Sequence, residues 1–183
     1  MIRLFVAIDL PGEVRDRLWR ACCDVPGARW TEVEQMHLTL RFVGEVDELV
    51  FRDVEAALEE VRCAPFELEV RGVGHFPPRG EPRVLWAGLG RSEPLVALQK
   101  RFDAAVERGG VQRDGRRFSP HVTLARLSGT PERAVGSWLA MNGLLRCDPF
   151  EVREFHLFSS RLGGKRAVHR VEATYPLRGN GGP

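Results

Sequence analysis

Two short stretches of this 183-residue sequence share one pattern, "HLTL" at 37–40 and "HVTL" at 121–124. On a β-strand, side chains two residues apart point to the same face. His37 then projects with Thr39, and His121 with Thr123, while Leu38, Leu40, Val122 and Leu124 anchor the other face. A chain of this composition holds about 0.025 such patterns by chance, so two copies are an accident on the order of 3 in 10,000. An imidazole titrates near pH 6.5, so both of its protonation states are available around neutrality. A hydroxyl beside it can donate to an anionic oxygen.

Three chemistries use histidine in this way. Metal catalysis wants a third ligand beside the pair, and neither stretch supplies one. Nucleophilic catalysis wants a serine or cysteine on a histidine; G-x-S-x-G is absent, and Ser119 joins the His121 face only if Pro120 leaves the pleat intact. General acid–base catalysis fits best. One histidine takes a proton from water, the other gives one to a leaving alkoxide, and Thr39 and Thr123 hold non-bridging oxygens. That is a site for in-line displacement at phosphorus, and it suits a strained substrate such as a 2′,3′-cyclic phosphate.

Two arginines are candidates for the anion. Strict alternation puts Arg41 on the His37 face. It puts Arg126 opposite His121, so a bulge must redirect it before it can touch phosphate. No metal or cofactor is expected. Of the other histidines, His75 and His156 lack the threonine and read as structural, and His169 reads as facing solvent. Trp19, Trp30, Trp86, Trp138, Phe42 and Phe118 read as core rather than base platforms.

The elements that must position the pair follow from pattern. Strands are expected at Arg3–Leu10, Met36–Val46, Phe66–Phe76 and Arg83–Leu89, through "RRFSPHVTLARL", and as a closing pair joined by a "GGK" turn. Helices are expected in between. The second carries Val50, Val54, Leu58 and Val61 on one face, with Asp47 as cap and Pro65 as stop. The third carries Leu95, Leu98, Phe102 and Val106. Short turns between strands indicate an α+β fold with largely antiparallel sheets. Strand, helix and hairpin recur in the second half, which suits two similar lobes within one domain, residues 1–183 with a disordered tail at 179–183.

A net charge of +2 rules out a polycation that coats nucleic acid. Only two of the 27 basic residues, Lys100 and Lys165, are lysines, which reads first as compositional bias. Cys22, Cys23, Cys63 and Cys147 form no metal-ligand spacing, and a reducing compartment is expected. The apolar opening, Leu4 to Ile8, ends at Asp9 and is too short for a signal peptide. A cytoplasmic monomer without membrane contact is expected.

"HLTLRFVGE" and "SPHVTLAR" resemble the paired HxTx motifs of the two-histidine phosphoesterase superfamily, and within it the RNA 2′,3′-cyclic phosphodiesterases, also called 2′-5′ RNA ligases. "RLFVAIDLP", "GVGHFP" and "SSRL…YPL" extend the likeness over about residues 2 to 178. The resemblance implies a bilobal fold with pseudo-two-fold symmetry around a central cleft. It implies hydrolysis of RNA 2′,3′-cyclic phosphate ends, or of cyclic nucleotides, to 2′-phosphates without metal, with reversible 2′-5′ ligation in some members. It implies His37 as proton donor, His121 as proton acceptor, Thr39 and Thr123 as motif threonines, and Arg126 as a basic residue after the second motif. Relatives often carry an aromatic residue where this chain has His169. Two other readings stay open: a non-catalytic RNA- or nucleotide-binding module, and a hydrolase of a cyclic phosphate on an ADP-ribose-type metabolite.

Overall fold

The computed structural model describes residues 1–163 and 166–179, with the side chains at 162, 163 and 166 outside that description. The chain runs β1 (Ile2–Asp9), α1 (Gly12–Trp19), β2 (Ala28–Trp30), β3 (His37–Val46), α2 (Glu48–Glu59), β4 (Phe66–Leu68), β5 (Val70–Phe76), β6 (Val84–Leu89) and α3 (Glu93–Arg108). It continues β7 (His121–Leu127), α4 (Glu132–Asn142), β8 (Phe150–Val152), β9 (Glu154–Gly163) and β10 (Arg166–Pro176). The fold is α+β. Residues 164 and 165 of the expected "GGK" turn and the tail at 180–183 lie outside the described residues.

Local chemistry sets the helices where the sequence places them. Asp47 accepts from the Val50 amide at 2.9 Å and starts α2; Ser92 accepts from the Leu95 amide at 3.3 Å and starts α3. Val54 and Leu58 of α2 are buried, and so are Leu95, Leu98, Phe102 and Val106 of α3. These join Val14 and Leu18 of α1, Val135 and Trp138 of α4, and the sheet residues Leu4, Val6, Leu38, Leu40, Val122 and Leu124 in one core cluster. The helices therefore cover one face of the sheet. The Trp138 indole donates to the Ala21 carbonyl at 2.7 Å and ties α4 to the chain after α1.

The main sheet has eight strands, in the order β10-β9-β1-β3-β7-β6-β5, with β2 also paired to β7. All its ladders are antiparallel. The two strands that carry the histidine motifs, β3 and β7, are neighbours through a single pair, Leu38 with Val122.

Several features depart from the sequence expectation: the strand expected through "RRFSPHVTLARL" starts only at His121, and the first of the closing strands is split at Arg153 into β8 and β9. The strand expected over Phe66–Phe76 breaks at Glu69: β4 leaves to pair with β8, while β5 stays in the main sheet beside β6. Glu69 forms an ion pair with Arg146 there, and its carbonyl accepts from the Gly90 amide at 2.7 Å. The three-residue β2 is too short for a periodic signal, yet it supplies part of the cleft described next.

Candidate active site

His37, Thr39, His121 and Thr123 all line one cleft of about 410 Å³ on the sheet face opposite the helices. That volume suits a small ligand such as a nucleotide. The single pair Leu38–Val122 sets the register of the two motifs. Continued antiparallel, it puts His37 across from Thr123 and Thr39 across from His121. Directly opposed residues sit about 5 Å apart and diagonal ones about 7–8 Å. The strands part on either side of this pair, so these are lower limits. The two histidines thus occupy one diagonal of a four-residue patch and the two threonines the other.

Each ring is fixed in the same way. His37 Nδ1 lies 2.7 Å from the Gln35 carbonyl, and His121 Nδ1 lies 2.7 Å from the Ser119 carbonyl. A carbonyl only accepts, so Nδ1 carries the hydrogen in both rings. Nε2 is then the working atom: a base when neutral, an acid when protonated.

The surroundings of the two rings differ. His37 stacks on Phe5 at 4.9 Å between centroids, with Phe158 at 5.8 Å and the edge of His169 at 5.2 Å. Phe5, Ala7 and Phe158 form a small second apolar cluster behind it. Burial, and next the charge on His169, push the His37 pKa down to about 4. His121 meets Phe76 edge-on at 4.9 Å and Trp86 at 6.5 Å. Trp86 lies directly over Gly74, where a Cβ would collide with the indole.

A bulge follows each motif. In β3, Ala7 faces Thr39 but Val6 faces Arg41, so Leu40 is the extra residue. In β7, Trp86 faces Thr123 but Leu85 faces Ala125, so Leu124 is the extra residue. Each bulge shifts the pleat by one residue. The same burial pattern results in both motifs, with two buried residues in a row followed by an exposed one.

This shift decides the arginines. Arg126 turns onto the His121 face and lines the cleft, as a bulge there requires. Arg41 turns away from His37, contrary to strict alternation. It is 4% exposed and lies in the helix layer, with Nε 3.1 Å from Asp103, Nη1 3.3 Å from Asp114 and Nη2 donating to the Gln112 carbonyl at 2.8 Å. Arg41 is not a cleft residue. Phe42 takes the place that alternation gives to Arg41: it is 54% exposed and lines the cleft, rather than packing in the core.

His169 is also placed differently from the solvent-facing expectation. It lines the cleft beside His37, and its buried Nδ1 has no hydrogen-bond partner. Trp30 lines the cleft as well, while its neighbour Trp138 is fully buried. His156 is buried outside the lining and bonded to Thr174 Oγ1 at 2.9 Å. His75 also lies outside it. Sequence reasoning missed Arg3, Phe5, Arg29, Gln35 and Ser160 as lining residues. Arg3, Phe5 and Ser160 sit in strands whose pattern gave no sign of which face meets the cleft. Among the described residues, no group of three or more His, Cys, Asp or Glu is arranged to hold a metal ion.

With this geometry in view, the likeness to known proteins takes a definite form. The family model of the 2′-5′ RNA ligase superfamily matches residues 12–164. A protein of Archaeoglobus fulgidus named RNA 2′,3′-cyclic phosphodiesterase is 32% identical over 173 residues, covering 92% of this chain and 97% of that one. A protein of the same name from Thermus thermophilus is 34% identical over 99% of this chain and 93% of its own. Among solved structures, TT0787 of Thermus thermophilus superposes with a TM-score of 0.82 at 32% identity, over 98% of this chain and all of that one. E. coli LigT complexed with 3′-AMP does so at 0.75 and 26% identity, over 96% and 98%. This chain, with both of its histidine motifs brought into one cleft, belongs to the 2′-5′ RNA ligase superfamily.

Proposed function

We propose that the chain hydrolyses RNA 2′,3′-cyclic phosphate ends to 2′-phosphates by two-histidine acid–base catalysis, without metal. The observation that carries this reading is the matched anchoring of His37 and His121, each with Nδ1 on the carbonyl two residues back. It leaves two Nε2 atoms for one phosphorus. His121 takes a proton from water as the oxygen attacks phosphorus. The bond from phosphorus to O3′ breaks, and His37 gives its proton to O3′. Thr39, Thr123 and Arg126 hold the non-bridging oxygens. A 5′-hydroxyl in place of water gives a 2′-5′ linkage by the same steps. The two halves of the sheet, each with one motif strand, act as the two lobes of a single domain, which works as a cytoplasmic monomer. Among the described residues no helix is long and apolar enough to cross a membrane.

An acid role for His37 places a demand on the substrate. With its pKa near 4, the ring is neutral at pH 7. An anionic phosphate held by Thr39 favours the charged form and returns the proton, so substrate binding loads the acid. One limb of the kcat/KM profile follows His37 in the free enzyme and lies near pH 4. Below that pH the ring is charged, above it neutral. His169→Phe removes the neighbouring charge and moves this limb up, which a pH–rate series on both proteins measures.

The reading is tested with 2′,3′-cyclic nucleotides and cyclic-ended RNA in the presence of chelator. Turnover undiminished by chelator, with product carrying only 2′-phosphate, is expected. Loss of turnover on chelation overturns the metal-free mechanism, and a 3′-phosphate product overturns the assignment of the leaving oxygen.

A further inference from the structure

Asp9 stands directly across from His37 in the β1–β3 ladder, next after the facing pair Ala7–Thr39 on the same side and with no bulge between them. Opposed residues on antiparallel strands share a face and lie about 5 Å apart. Ile8, between Ala7 and Asp9, is buried in the core beneath the helices, so the Asp9 side chain leaves on the face that carries the His37 ring. Arg15, in the first turn of α1, holds this carboxylate: its Nη2 donates to Asp9 Oδ1, and its Nε donates to the Met36 carbonyl at 3.4 Å. One guanidinium thus ties the carboxylate to the residue that precedes His37. The Arg15 side chain is only 18% exposed, while that of Asp9 is 48% exposed.

His37 keeps Nδ1 on the Gln35 carbonyl, so Asp9 reaches the ring by its charge and leaves Nε2 to the substrate. Three charged groups from three elements act on this ring. His169 of β10 and Arg15 of α1 oppose its protonation, Asp9 of β1 favours it, and Asp9 outweighs Arg15. The residue across from His121 in β6 is Gly88, which carries no charge. A carboxylate favours an imidazolium and works against a neutral base. The aspartate beside one histidine and the glycine beside the other therefore divide the two roles.

We propose that Asp9 is a positioning residue for the reaction: held by Arg15, its carboxylate helps His37 take up the proton that it later gives to O3′, and so makes His37 rather than His121 the acid. This rests on the cyclic phosphodiesterase reading and adds to it the group that separates two otherwise matching histidines. Asp9 acts through the imidazole and needs no contact with the substrate.

The test follows histidine ring signals by NMR against pH in the full chain, the His37 signal being identified by its loss in His37→Gln. Asp9→Asn moves the His37 midpoint down by about 0.3–0.7 pH unit, the range of a partly exposed charge pair. At pH 7, kcat/KM for adenosine 2′,3′-cyclic phosphate falls by the same factor, about 2–5-fold. Asp9→Glu keeps the charge and recovers part of both. Arg15→Met moves the midpoint up, since the cation that opposes protonation is gone while the carboxylate stays. A pair that only fastens β1 to α1 moves neither midpoint, or lets both variants move it in one direction. Either result overturns the proposal, as does an Asp9→Asn protein with wild-type kcat/KM. If the wild type turns over no cyclic phosphate, the phosphodiesterase reading fails, and the NMR midpoints alone decide whether Asp9 governs His37.

Discussion

Alanine in place of His37 or of His121 lowers kcat for 2′,3′-cyclic nucleotide hydrolysis by about 10²–10⁴-fold, with KM changed far less. The loss lies in kcat because the threonines still hold the phosphate, while proton transfer on one side of phosphorus has no carrier. The double variant falls well short of the product of the two losses, since acid and base act in a single displacement. The two variants differ in stability. His37 fills space against Phe5 and Phe158, so His37→Ala leaves a void and unfolds at a lower temperature. His121 is only partly covered, by Phe76 and Trp86, and its loss costs less. Single-turnover kinetics together with thermal melts separate these effects. A folded variant that loses less than tenfold in kcat removes that histidine from the proton path.

The pair was legible because a strand repeats every two residues, so a four-residue motif already states which side chains travel together. That two such strands lie side by side is a tertiary fact, carried in sequence only by the improbability of the repeat and by the family likeness. Helix faces were equally readable: the α3 stripe from Leu95 to Val106 is buried throughout. What failed was counting past a bulge. Leu40 and Leu124 look like ordinary members of an alternating strand, and nothing in "HLTLRF" says that the pleat slips after the threonine. One extra residue exchanged the fates of Arg41 and Phe42. The cleft side of His169 was hidden for a related reason: β10 has its own register shift between Val171 and Ala173, and its outward and inward residues carry similar polarity.

The exchange at Arg41 has a measurable consequence. Arg41→Met destabilises the fold by about 2–4 kcal/mol while leaving kcat/KM of the folded protein close to that of the wild type. A fully buried pair broken on one side costs about 3–5 kcal/mol, and the lower figure applies because Asp103 and Asp114 keep 19% and 24% of their side-chain surface exposed. The guanidinium is nearly sealed from water and touches three acceptors from two segments: Asp103 in α3, and Gln112 and Asp114 in the connection that leads to β7. Its removal leaves the Gln112 carbonyl without its donor and Asp103 without its cation. Asp114 is less affected. Arg116, through its side chain and amide, is the first cause of that carboxyl's pKa near 2, with Arg41 a smaller one. The change is therefore felt mainly between β3 and α3. Arg41→Lys keeps the charge but loses the fork and recovers only part of the stability. Arg41→Met with Asp103→Leu recovers more, since no lone charge stays behind. Had Arg41 faced the phosphate, as uninterrupted alternation predicts, the same Arg41→Met change would raise KM at unchanged stability. Denaturant melts set beside steady-state kinetics on one preparation tell the two arrangements apart.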